Sequence, residues 1–167
     1  MKRLISLLLI ICLCAFLFGC QDKAEPIKKP VTFFYCRSDF DHGNESSVIL
    51  GETRESAGFE NNIMGLLGLY LEGPASDSLR TTIPEGAKLM DYKVEGNTAV
   101  LTVTDRFALA SGIELTLACA CFAKTVLHMT GLEAVKIQAQ TVNLGNKPYI
   151  LMDHSTILLL DNTEIHQ

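Results

Sequence analysis

The chain has 167 residues, 48% of them hydrophobic, and a formal net charge of −5. That size suits one domain with a sizeable core. An acidic balance without a stripe of Lys and Arg excludes a nucleic-acid binder that works by neutralising phosphates.

Lys2 and Arg3 precede an uncharged run from Leu4 to Phe18. The run has the length of a signal-peptide core and falls short of the roughly 20 residues a membrane span needs. It ends in Leu17-Phe18-Gly19-Cys20, which resembles the lipobox of bacterial lipoproteins. In that pattern a leucine stands three before the cut, a small residue one before it, and the cysteine after the cut takes the lipid. Residues 1–19 are therefore expected to be a signal peptide cleaved between Gly19 and Cys20, with Cys20 the lipidated first residue of the mature chain. Residues 20–30 are polar and punctuated by Pro26 and Pro30, as a flexible tether would be. This places the folded part on the extracytoplasmic face of the membrane. Adhesion comes from the lipid, since Lys23, Lys28 and Lys29 are offset by Asp22 and Glu25. Loss of Lys2 and Arg3 takes the net charge from −5 to about −7.

Of six cysteines, Cys12 and Cys14 leave with the signal peptide and Cys20 is lipidated. Cys36, Cys119 and Cys121 remain, an odd number without a Cys-x-x-Cys pair, so neither a disulfide scaffold nor a zinc site is indicated. Buried thiols are the preferred reading; a bridge from Cys36 to Cys119 or Cys121 is the alternative in an oxidising compartment.

Val31 to Cys36 is β-branched and aromatic, a first strand. Arg37 to Glu55 reads as a long polar loop, with a brief strand at Val48-Ile49-Leu50. Phe59, Ile63, Leu66, Leu67 and Tyr70 then recur at helical spacing, with Ser56 as the candidate N-cap and Gly73-Pro74 as the stop. Gly65 and Gly68 inside that helix suggest close approach of a neighbour. Ser78 to Arg80 is expected to add a turn. Lys88–Val94 and Thr98–Val103, joined through Glu95-Gly96-Asn97, form a hairpin with one wetter face. Ser111 and Glu114 have the spacing of a capping box and open a second helix. Its buried stripe is Leu115, Ala118, Cys119, Phe122, Val126 and Met129, and Gly131 ends it. Ala134 to Thr141 is a strand with Val135, Ile137 and Ala139 inward, and Thr156 to Leu160 is expected to add an edge strand. The fold expected is α+β in the order β-α-β-β-α-β, with two helices on one face of a small mixed sheet plus a C-terminal edge strand.

Several segments, in order, resemble the GerMN domain, an extracytoplasmic module of bacterial lipoproteins and sporulation proteins. They are Tyr35 in the first strand, Leu67-x-x-Tyr-Leu-Glu-Gly-Pro74, and Leu79-x-x-x-Ile83-Pro84-Glu85-Gly86-Ala87-Lys88-Leu89. Gly96 to Asp105 with Phe107, Glu114-Leu115 through Lys124-Thr125-Val126-Leu127, and Gly131 to Ile137 complete the set. The resemblance spans about Val31 to Gln140, so residues 31–142 are assigned to a GerMN-like domain and 143–167 to a C-terminal extension. It implies a fold and a location rather than a reaction. GerMN domains resemble ring-building modules of sporulation and secretion assemblies, which implies scaffolding, and they occur in spore formation and germination. The resemblance carries no catalytic residues across.

The residues agree. No Gly-x-Ser-x-Gly elbow, phosphate-binding loop, His-Glu-x-x-His or dinucleotide fingerprint is present. Asp39, Asp41, His42 and Glu45 lack the spacing of a calcium loop and read as a solvated loop. Cys36 with His42, or Cys121 with His128, would be a nucleophile and base, but Cys121 and His128 lie about two helical turns apart, too far for a direct hydrogen bond, and a cysteine enzyme is not expected. Asp153-His154-Ser155 are neighbours that cannot form a triad among themselves. No enzyme, metal or cofactor is expected. The leading expectation is a lipid-anchored, non-catalytic protein–protein interaction module of the cell envelope or of sporulation. Its partner would be another envelope or sporulation protein, and self-assembly into a homo-oligomer is open. Thr98, Thr102 and Thr104 on the hairpin, with Lys124 and His128 on the second helix, are the candidate surface. The alternative is a ligand- or glycan-binding accessory to a cell-wall enzyme, with a pocket lined by Tyr70, Tyr92 or Tyr149.

Overall fold

The computed structural model describes residues 29–39, 47–56 and 58–158; the expected signal peptide, Cys20 and most of the expected tether lie outside them. Two sheets organise the chain. The first is antiparallel and contains β1 (Pro30–Arg37), β2 (Ile49–Glu55) and β3 (Leu79–Arg80), in the order β2-β1-β3. The second contains β4 (Leu89–Glu95), β5 (Thr98–Val103), β6 (Ala134–Ala139) and β7 (Ile150–Asp153), in chain order across the sheet. Its pairings are antiparallel except β5 with β6, so it is mixed. Helix α1 (Ile63–Leu71) lies between β2 and β3 in sequence, and α2 (Gly112–Thr130) makes the crossover that a parallel β5–β6 pair requires.

The expected α+β order stands, but the single sheet divides in two, because α2 is apolar on more sides than one sheet can cover. Leu115, Ala118, Cys119, Phe122 and Val126 join Phe33, Leu101 and Ile137 in the main core. On another side of the helix, Leu117, Ala120 and Cys121 form a smaller cluster with Cys36, Val48 and Ile49. By length and composition alone α2 would pass for a membrane span; its packing is that of a core helix. Gly131 ends it with φ of 69°, a conformation that glycine takes without a Cβ penalty.

Several local expectations change. The stretch read as a loop holds β2, paired along its whole length with β1. Its apolar content is low because Glu52 and Arg54 are satisfied by polar partners described below. Ser78–Arg80 gives β3 rather than a turn. Helix α1 starts at Ile63, not near Ser56: Asn62 caps it by accepting from the Gly65 N–H at 3.0 Å, while Ser56 is buried and donates to Glu60 at 2.6 Å. Phe59 therefore precedes the helix and folds its ring back onto Gly65, where a Cβ would collide with it.

At α2, Ser111 occupies the N-cap without a side-chain bond. Glu114 turns instead to Arg80 of β3, in a two-pronged ion pair with N–O distances of 3.0 and 3.1 Å. The C-terminal edge strand exists, but it is β7. Thr156 lies in a short helix, α3 (His154–Leu158), and residues 159–160 of the expected strand fall outside the described residues. Leu144, Met152 and Ile157, from the stretch assigned to an extension, are buried in the main core.

Candidate interaction surface

Strand alternation divides β5 cleanly. Ala99, Leu101 and Val103 point into the core, leaving Thr98, Val100 and Thr102 on the outer face of the second sheet. Register sets Val100 in a row with Lys93, Lys136 and Leu151, and Thr102 between Asp91 and Gln138. Val100 is nonetheless buried, with Lys93 and Lys136 as its cross-strand neighbours on either side. Lys93 pairs with Glu95 at 2.9 Å, Gln138 donates to the Thr102 hydroxyl at 3.3 Å, and the Lys136 ammonium lies 4.7 Å from the centre of the Tyr149 ring. Tyr149 (44%) and Leu151 (53%) are exposed on this part of the molecule. Thr104 stands just past the strand, where its hydroxyl accepts from the Lys88 N–H at 3.0 Å and so fixes the entry to β4.

Lys124 and His128, one turn apart on α2, do come together, around Phe34 of β1. The Lys124 ammonium is 5.0 Å from the ring centre, and the His128 ring meets it edge-on at 5.3 Å. The buried Thr125 hydroxyl accepts from the Phe34 N–H at 2.9 Å, which seats β1 on the helix. This clasp is separate from the threonines, whose face is turned away from α2. The sequence-derived surface is therefore two sites rather than one.

Sequence reasoning missed the polar anchor between β2 and α1. Arg54 donates to the Tyr35 hydroxyl at 2.8 Å and to the carbonyls of Gly73 (3.2 Å) and Leu69 (3.3 Å), with its guanidinium 4.6 Å from the centre of the Phe33 ring. Its Nε lies 3.3 Å from Glu52, an ion pair without hydrogen-bond alignment. Glu52 in turn accepts from the N–H groups of Ala75 and Ser76. The Tyr35 hydroxyl donates to the Tyr70 carbonyl at 2.8 Å, and burial pushes the pKa of both phenols above the ordinary tyrosine value. Together these groups satisfy carbonyls that the end of α1 leaves open. The available signal was Glu52 and Arg54 at the period of a strand inside a polar stretch.

Among the described residues, the suggestive groupings do not assemble. Asp39 is engaged by Arg37 at 2.7 Å, whereas Asp41, His42 and Glu45 lie outside the described residues. Cys121 faces Cys36, while His128 faces Phe34. Asp153 caps α3, accepting at 2.8 Å from Ser155, from the Thr156 N–H and from the Thr156 hydroxyl. Those bonds, the backbone one first, pull its carboxyl down to about 2. Nor do the three tyrosines share a wall. Tyr70 is stacked between Tyr35 and Phe122 in the core, Tyr92 is half-buried on β4, and Tyr149 is exposed beyond β6. Two clefts, of about 270 and 370 Å³, are lined by other residues: one by Lys29, Glu60 and His128 among others, one between Gly68 and Lys88.

The Germane family model, described as "Sporulation and spore germination", matches residues 34–140. Among solved structures, the chain is similar to the tandem GerMN domains of the sporulation protein GerM from Bacillus subtilis. Identity is 15% and the TM-score 0.53, over 78% of this chain and 44% of that one, so the chain spans under half of the tandem structure. The first GerMN domain of the same protein, alone, aligns at 15% identity and a TM-score of 0.53, over 71% of this chain and 92% of that one. No curated protein matches the sequence. The fold is thus that of a GerMN domain, and the chain belongs to the Germane family of sporulation and spore germination domains.

Proposed function

We propose that this protein is a lipoprotein held by Cys20 on the extracytoplasmic face of the membrane, and that its Germane domain is a non-catalytic contact module for another envelope or sporulation protein. The observation that supports this best is the outer face of the second sheet. It is apolar at Tyr149 and Leu151 and polar around them at Thr98, Thr102, Lys136 and Gln138. A patch of exposed aromatic and aliphatic groups with a polar rim is the composition of a protein-binding face. The Lys124–Phe34–His128 clasp is a second candidate surface.

The test is affinity capture after crosslinking in intact cells, with Cys20→Ala as the mislocalised control and Leu151→Lys as the surface variant. The expected result is one defined envelope or sporulation protein, recovered with the wild type and lost with either variant. Equal recovery from the wild type and both variants contradicts the proposal, as does recovery of glycan fragments alone.

A further inference from the structure

The Sγ atoms of Cys36 and Cys121 are 3.5 Å apart, in a pocket closed by Val48, Ile49, Leu117 and Ala120. Cys36 sits on β1, the middle strand of the first sheet, opposite Ile49 on β2 and Arg80 on β3. Cys121 comes from α2, so the two sulfurs approach across the junction between a sheet and the central helix. A disulfide has its sulfurs about 2.05 Å apart, so a closure of about 1.5 Å, shared between two side-chain torsions, would join them. Cys119 is no competitor. Two residues away, it points to a different side of α2 and lies in the main core, where burial pushes its thiol up to about 12. The thiol of Cys36 is moved the opposite way: the facing Cys121 thiol holds it below the ordinary range, against the effect of burial. It is therefore a better nucleophile than Cys119.

We propose that Cys36 and Cys121 form a disulfide in the mature protein, stapling β1 to α2. The oxidant is a small disulfide compound. The Cys36 thiolate attacks one of its sulfurs, forming a mixed disulfide and expelling one thiolate. The Cys121 thiolate then displaces the second, so two protein thiols lose two protons and two electrons and the oxidant leaves as two thiols. Both cysteines are buried in the folded chain, so exchange takes place before β1 closes on α2 or during a local opening, and burial afterwards shields the bond. In the cell such a bond persists outside the reducing cytoplasm, so the cellular form of this inference rests on the export proposed above; the chemistry itself does not.

Two experiments separate these. The purified full-length protein is titrated with oxidised glutathione, then alkylated under denaturing conditions and mapped by peptide mass. The expected product is a Cys36–Cys121 crosslinked peptide with Cys119 alkylated. Reduction should lower Tm by on the order of 10 °C, given a crosslink between residues 85 apart. That shift should vanish in Cys121→Ala and persist in Cys119→Ala. A stable glutathione adduct, a Cys36–Cys119 peptide, or alkylation of both Cys36 and Cys121 overturns the proposal. The same map on acid-quenched cells then reads the membrane-fraction protein whose chain begins at Cys20. A crosslink there supports the proposal and two thiols there overturn it. If the protein keeps residues 1–19 and stays in the cytoplasm, export has failed, and the glutathione titration alone decides whether the pair can bond.

Discussion

The Arg54 guanidinium donates to the Tyr35 hydroxyl at 2.8 Å, and that hydroxyl donates onward to the Tyr70 carbonyl at the end of α1. One arginine thus joins neighbouring strands β1 and β2 to a helix terminus and to the Gly73 turn. Replacing it with alanine leaves the Leu69 and Gly73 carbonyls without this donor and Glu52 without its cation. Arg54→Ala should cost about 2–4 kcal/mol, read as a lower urea midpoint with an unchanged slope. Arg54→Lys should recover only part, because an ammonium lacks the planar fork that spans three acceptors. A shift under about 0.5 kcal/mol for Arg54→Ala would contradict the anchor role.

The two helix starts should respond differently to the same kind of change. Asn62 makes its cap bond and Ser111 does not. Asn62→Ala should therefore destabilise by about 1 kcal/mol. Ser111→Ala should stay within about 0.5 kcal/mol, the ordinary range for surface positions. Chemical denaturation of the two variants checks both.

The glycines of α1 are also distinguishable. A Cβ at Gly68 meets nothing within 4 Å, so Gly68→Ala should stabilise by up to about 1 kcal/mol through helix propensity. At Gly65 the Phe59 ring occupies the Cβ position, so Gly65→Ala must expel the ring and should forfeit that gain. Tm measured on both, with Gly65→Ala repeated in a Phe59→Ala background, separates propensity from collision. Restoration of the gain in the double variant is the expected outcome.

Asp153 gives a pH signature. Its carboxyl is held at about 2 by the cap of α3, below the value of about 4 expected in an unfolded chain. A depressed acid stabilises the folded form above the unfolded value and loses that contribution as pH falls through the folded one. The cap should therefore weaken between about pH 4 and pH 2. A carboxyl NMR titration should show a midpoint near 2, with amide exchange in His154–Leu158 rising in the same window. A midpoint near 4 would show that the cap does not form.

The parts of this fold legible in the sequence are those whose apolar period matches one buried face. The β4–β5 hairpin, β6 and the main-core side of α2 are of this kind. β2 was illegible because its inward polar groups, Glu52 and Arg54, are satisfied by ions and backbone rather than by apolar burial. The second apolar side of α2, with Leu117 and Cys121, has meaning only once a second sheet exists to cover it. Ser111 and Glu114 had the spacing of a capping box, but Arg80, 34 residues earlier, competes for Glu114, and local spacing carries no record of such a rival. Lys124 and His128 were legible as a helical pair, though not as the two sides of a clasp on Phe34. Thr98 and Thr102 alternate onto one face as their spacing indicates, while Thr104 falls past the strand; that this face also carries Tyr149 and Leu151 depends on β7 lying at residues 150–153.

The most direct test of the contact-module account places a photoreactive amino acid at position 151 in living cells, with position 77, exposed in the loop before β3, as the control. The account predicts a discrete adduct with one envelope or sporulation protein from position 151, absent from position 77 and abolished by Cys20→Ala. No adduct from position 151, or the same adducts from both positions, would contradict it.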